Sequence, residues 1–341
     1  MKKVATGLAL AGVLLAAGCS AAAPKASGQA QARRATRSDL SSAAGSVRSL
    51  ESGQVLRLGY LEDFGSAPAL AGLQLGTFRT DLRTVNLQPQ GYLSDLDEVN
   101  ALEHGQLDAA YLDPVAAVQA WQASAPGSIK IIAGAATGPS ELVARASITR
   151  PAQLRGTRVE APGDASQAAA LSAWLSRNHL IRHVHLDGSA ITTAGILQQF
   201  KRGVVSAAWE PAPLAQQLIA AGGHVLATLP ASSTAGVLAM TQRYLAANPP
   251  AVRNLLQAQA QACIQFGKPP GRAAAAQMLA SLTGIVMSGT EQSAAFGQYI
   301  CTSKLDRSSI QSLASAAAAA HIIRPPHDLS RIYDSSLSAK P

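Results

Sequence analysis

The stretch GVVSAAWEPAPLA, residues 203–215, carries no charge from Val204 to Ala208 and then places Trp209, Glu210 and Pro211 in succession. Small and β-branched residues in a short run predict a buried strand, and proline, which has no N–H to donate, halts it. A second stretch has nearly the same grammar. GQLDAAYLDPVAAV, residues 105–118, again sets Gly, three residues, Ala-Ala, an aromatic, an acid and a Pro ahead of small apolar residues. The copies lie too far apart for a solenoid repeat, so they point to two similar halves, each built of strands and helices.

The rest of the chain fits that division. Strands are expected at 55–61, 82–88, 108–112 and 128–135, with helices at 68–78, 94–105 and 114–123 between them. Ser94 caps the second of these helices and Gly105 stops it. The pattern restarts with strands at 141–148, 157–162, 183–188, 204–210 and 224–229 around helices at 164–180, 191–203 and 211–221. A strand at 234–241 then leads into a helical remainder at 249–266, 273–284, 290–300 and 308–323. This alternation predicts an α/β protein of two lobes, each a mostly parallel sheet flanked by helices. Lobe 1 is expected to comprise 53–140 and 230–341, lobe 2 to comprise 141–229, with hinge crossings near 136–146 and 229–236.

The 341-residue chain has a formal net charge of +8. Its basic residues are scattered rather than interleaved with aromatics in a run, which argues against a nucleic-acid partner. A solvated surface near an anionic membrane is the simpler reading. At the N-terminus, Lys2 and Lys3 precede an apolar run from Val4 to Ala17 that closes on LLAAGCS, residues 14–20. Those are the parts of an export signal, and the run is too short to span a bilayer comfortably. Cys19 behind Ala16, Ala17 and Gly18 resembles the bacterial lipobox. Residues 1–18 are therefore expected to be a lipoprotein signal peptide, Cys19 the lipidated residue, and 19–52 a flexible tether. An ordinary signal peptide with an incidental Cys is the alternative. The remaining cysteines, Cys263 and Cys301, leave two readings open: a disulfide, or two buried thiols on separate helices.

No GxSxG elbow, P-loop, HExxH or GxGxxG after a strand is present, so neither an enzyme nor a cofactor is expected. There is no CxxC, and His183 and His185 would share a strand face without a third ligand, so no metal site is expected.

Four motifs, in order, carry a family likeness. VNALEHGQLDAAYLDPVAAV, PAQLRGTRVEAPGDASQAAALSAWL, FKRGVVSAAWEPAPLA and GVLAMTQRYLAANPPAVRNLLQA resemble elements of the substrate-binding proteins of nitrate, sulfonate and taurine ABC importers, a class that includes thiamine-pyrimidine-precursor binders. The resemblance spans about Val55 to Ile323. It implies the two-lobed type II periplasmic binding protein fold and a small ligand clamped between lobes. It also implies an ABC permease with its ATPase as partner, a monomer, and a place outside the cytoplasm on a lipid anchor. A precursor-consuming enzyme of thiamine-pyrimidine synthesis shares the fold, but an export signal argues against it; a sensory lipoprotein is a further alternative.

In open α/β sheets, ligands bind beyond the carboxyl ends of strands. Tyr60 and Glu62 follow the first strand of lobe 1, Tyr111 and Asp113 end another, Ser140 lies in the first crossing, Ser166 opens a helix of lobe 2, and Trp209 and Glu210 end its central strand. These eight are the expected ligand residues. The bland alternatives are a core ring for Trp209 and a structural acceptor for Glu210. Where the family usually has Gly-Ser/Thr-Thr, this chain has Asp164, Ala165 and Ser166, which puts a bare oxyanion in doubt. With Asp63, Asp113, Asp164 and Glu210 close by, Glu62 would complete a mouth rich in carboxylates, better suited to an amine or polar heterocycle.

Overall fold

The computed structural model describes residues 54–125, 127–188, 192–284, 286–326 and 328–337. The expected signal peptide, Cys19 and the expected tether lie outside these. The first βα run is β1 (Gln54–Leu61), α1 (Ala67–Gln74), α2 (Thr77–Asp81), β2 (Val85–Tyr92), α3 (Asp95–Glu103), β3 (Ala109–Leu112), α4 (Pro114–Ala123) and β4 (Ile129–Thr137). The second is β5 (Ser140–Arg145), β6 (Arg158–Glu160), α5 (Ala165–Arg177), β7 (His185–Asp187), α6 (Thr193–Arg202), β8 (Ala207–Pro211), α7 (Leu214–Ala220) and β9 (Gly223–Leu229). The chain then returns through β10 (Thr234–Thr241), α8 (Gln242–Ala247), α9 (Pro249–Phe266), α10 (Pro269–Thr283), α11 (Gly289–Phe296), β11 (Ile300–Cys301) and α12 (Arg307–Ala319).

Two sheets result. One has the order β11-β4-β10-β3-β1-β2, the other β7-β6-β8-β5-β9. The βα units give parallel pairs, β1 with β2 and β3, and β6 with β7 and β8. Each sheet is nonetheless mixed. β10 enters antiparallel between β3 and β4, and β5 runs antiparallel to both β8 and β9. The departure has a topological cause: a strand that arrives by crossing from the other lobe has no βα connection to impose parallel pairing.

The two crossings lie side by side. β4 passes to β5 through Gly138 and Pro139, β9 returns to β10 through 230–233, and Gly138 N donates to Ser233 O at 3.0 Å. Gly138 is required because the Tyr299 ring occupies the space a Cβ would fill, while Tyr299 Oη donates to Pro139 O at 2.7 Å.

Elsewhere the elements differ from expectation for local reasons. The single helix expected at 68–78 breaks at Gly76, whose φ of 72° stops α1 and starts α2. β2 runs through Pro89 to Tyr92 because it is an edge strand, where a missing donor faces no partner. The helix expected at 211–221 starts at Leu214, since β8 retains Pro211. The strand expected at 183–188 shrinks to three residues, with His183 outside it.

Small side chains build the cores, as an Ala-rich chain requires. Ala67, Ala69 and Ala71 of α1 pack with Ala258 and Ala262 of α9 against one face of the larger sheet, and Phe64, Phe266 and Phe296 fill the remaining depth. At the other face, Ala169 of α5 lies in one cluster with Ile310, Leu313 and Ala314 of α12, so lobe 2 is seated on lobe 1 through apolar contact. Cys263 of α9 and Cys301 of β11 are joined as a disulfide with Cα atoms 4.9 Å apart, inside the span such a bond allows.

Candidate functional site

The carboxyl ends of β1 and β8 face each other across a cavity of about 310 Å³. Lobe 1 lines it with Glu62 and Asp63 after β1, Leu93 after β2, and Leu279 and Leu282 of α10. Lobe 2 supplies Asp164, Thr192, Thr193 and the segment 210–214. Two of the polar groups, Asp63 and Thr192, are held as local caps. Asp63 caps the single turn at Phe64–Ser66, its Oδ1 accepting from Ser66 N at 3.3 Å. Thr192 caps α6 by accepting from Gly195 N at 3.1 Å. Asp164 stands at the N-cap position of α5.

A smaller cavity of about 30 Å³ adjoins the first, sharing Asp63 and Pro211 and adding Asp113, Ser140, Ser166, Gln167 and Tyr299. Here the lobes are hydrogen-bonded. Ser166 Oγ donates to Asp113 Oδ1 at 2.9 Å, and the same oxygen accepts from Val115 N at 2.8 Å and Ala116 N at 3.1 Å as the cap of α4.

Carboxyl groups gather in this region, and among the described residues no cation lines the main cavity with them. Glu62, Asp63, Asp164 and Glu210 line the main cavity, which has no Lys, Arg or His in its wall. Behind them, Asp95 Oδ1 accepts from Asp113 N at 3.4 Å, while its Oδ2 is buried without a hydrogen-bond partner. Burial lifts the affinity of all these groups for protons, and their mutual repulsion adds to it. Asp113 and Asp164 are pushed up to about 7, each by burial first and then by a neighbouring carboxylate, Asp164 for one and Asp63 for the other. Asp63 is pushed up to about 6, mainly by burial. Asp95 and Glu210 lie well above the ordinary range, from burial and then from Asp113 and Asp164 respectively. Glu98, fully buried under Gly59, is raised too, with both oxygens unpartnered.

Of the expected ligand residues, the structure brings Glu62 and Glu210 to the main cavity and Asp113, Ser140 and Ser166 to the smaller one. The three aromatic residues are elsewhere. Trp209 is 2% exposed, packed in the lobe 2 core beside Leu142 and Trp174, with Nε1 donating to Ser140 Oγ at 2.8 Å. Tyr60 and Tyr111 are paired neighbours on β1 and β3 in the lobe 1 core, and Tyr111 Oη donates to Gln259 Oε1 at 3.1 Å. None of the three lines either cavity. The reason is strand alternation: Trp209 and Glu210 are consecutive in β8, so they project from opposite faces. Asp95, Glu98 and the two threonines were not legible as site residues. Asp95 and Glu98 read as the ordinary acidic first turn of a helix, and only the fold carries that turn to the cleft.

The model of the NMT1-like family matches residues 51–280. No curated protein matches the chain in sequence. Among solved structures, the alkanesulfonate-binding protein SsuA from Xanthomonas axonopodis pv. citri, bound to MOPS, superposes with a TM-score of 0.64 at 17% identity, over 79% of this chain and 92% of that one. The aliphatic sulphonate binding protein SsuA from Escherichia coli gives 0.64 at 17% identity, over 80% and 94%. The zinc-bound ligand binding component of an ABC-type import system from Staphylococcus aureus gives 0.66 at 14% identity, over 83% and 97%. At such identities the likeness is one of fold, the periplasmic binding protein fold with its two sheets and double crossing. With the family match covering both βα runs, the chain belongs to the NMT1-like family.

Proposed function

We propose that this protein is the solute-binding component of an ABC importer. It captures a small organic solute between its lobes and presents it to a permease and its ATPase. The observation that carries this reading is the cavity at the facing ends of β1 and β8, adjoined by a smaller one that Gly138, Pro139 and Ser233 of the two crossings line, in a fold shared with import-system binding components. Its volume is within the range of small-molecule sites. Closure is a hinge motion about Gly138–Pro139 and 230–233, with ligand contacts from both lobes favouring the closed form. Cys19 anchors the mature protein to the outer face of the cell membrane, and residues 19–52 give the domain reach. Among the described residues, no helix is long and apolar enough to cross a membrane.

A thermal-shift panel of sulfonates, taurine, nitrate, amines and thiamine-pyrimidine precursors tests the reading, since a ligand that binds only the folded state raises Tm by mass action. At least one class should shift Tm in a saturable way. A panel without any shift sinks the proposal.

A further inference from the structure

The wall of the main cavity is at odds with the chain as a whole. The protein carries a formal net charge of +8, yet among the described residues this cavity collects four carboxylates and no basic side chain. Two of the carboxyl groups that line it, one from each lobe, have a buried oxygen without a hydrogen-bond partner: Glu62 Oε2 and Glu210 Oε1. Glu210 is only 8% exposed. Its register partner on β5 is another acid, Glu141, directly opposite across the antiparallel pair, so both project from one face and neither neutralises the other. A buried carboxylate oxygen without a donor is costly; an ammonium would give it N–H bonds and, as an opposite charge, would bring the raised proton affinity of Glu210 back down.

The remaining wall narrows the choice. It holds no aromatic side chain, so the site lacks the ring faces that recognise quaternary ammonium. Leu61, Leu93, Leu214, Leu279 and Leu282 make its apolar part, and Leu93 stands 74% exposed at the rim. Among the described residues, no three His, Cys, Asp or Glu side chains converge closely enough to hold one metal ion.

We infer that the solute is a protonated aliphatic amine, its ammonium N–H groups donating to Glu62 and Glu210 and its carbon chain lying against the leucines. This deepens the solute-binding reading and rests on it. The same contacts give the amine a closing action. An ammonium held between Glu62 and Glu210 bonds lobe 1 to lobe 2 and offsets the repulsion among the cleft carboxylates.

The test is calorimetric titration of the purified chain with butylamine and 1,4-diaminobutane, against butane-1-sulfonate, nitrate and tetramethylammonium. The amines should bind, and the anions and the quaternary cation should not. Glu210→Gln keeps the shape and removes the charge, and should weaken amine binding at least tenfold. Glu62→Gln, at the half-buried rim, should weaken it in the same direction and serves if Glu210→Gln fails to fold, as judged by its melting curve. Amine binding that neither substitution alters overturns the assignment. Binding of butane-1-sulfonate in place of the amines also overturns it while leaving the solute-binding reading intact. If no solute of the wider panel binds, both fall.

Discussion

Ser166 of α5 and Asp113 at the head of α4 join the two lobes by a single hydrogen bond of 2.9 Å. The carboxylate oxygen that receives it also caps α4. One atom therefore serves a helix start and a seam between lobes. Asp113→Ala should cost about 1–2 kcal/mol of unfolding free energy from the lost cap and seam together, and Ser166→Ala about 0.5–1.5 kcal/mol. Urea denaturation of both variants measures the difference. Equal and negligible effects would show that the seam adds nothing.

Trp209→Phe removes the bond from Nε1 to Ser140 Oγ but keeps most of the apolar volume in the lobe 2 core. It should lower stability by about 1 kcal/mol and leave ligand affinity within twofold. A large loss of affinity with unchanged Tm would instead place the ring at the ligand.

The cleft carboxyls set a pH dependence whose sign is fixed by their shifts. Asp113 and Asp164 titrate near 7 in the folded chain against an ordinary 3.8. The native state thus holds more protons than the unfolded one, and stability falls as pH rises between these values. Ligand-free protein should melt at a higher temperature at pH ~5 than at pH ~8, and Asp164→Asn should flatten that trend. A melting temperature that rises through the window in parent and variant alike contradicts the assignment.

The Cys263–Cys301 bridge closes a loop between residues 38 apart in sequence, from α9 to β11. Loop entropy gives such a bond about 3–4 kcal/mol. Cys301→Ser should lower the urea midpoint accordingly, and mass spectrometry of unreduced parent protein should find no free thiol at either position.

Cys19→Ala should block lipidation, so that fractionation finds the protein released from membranes or left unprocessed. Retention in the membrane with normal maturation would rule out the lipid anchor.

Hydrophobic pattern and turn residues were enough to show an α/β chain with two crossings and the order of most elements, because those depend on local periodicity. The repeated aromatic–acid–proline ending marked both strand ends that approach the cleft, but it could not say which member of each trio faces it. In the first copy Leu112 stands between the aromatic and the acid, which puts Asp113 past the end of β3, where it becomes a helix cap. In the second copy Glu210 follows Trp209 directly within β8, so the pleat turns the ring into the core and leaves the carboxylate to the cavity. Asp95 and Asp164 are distant in sequence, and each is an unremarkable helix-start residue in its own context. Asp164 comes close enough to raise the proton affinity of Asp95 only because α5 is seated on lobe 1. Alternation along a strand is written in the chain, whereas the meeting of two acids across a cleft is decided by which surfaces the folded lobes press together.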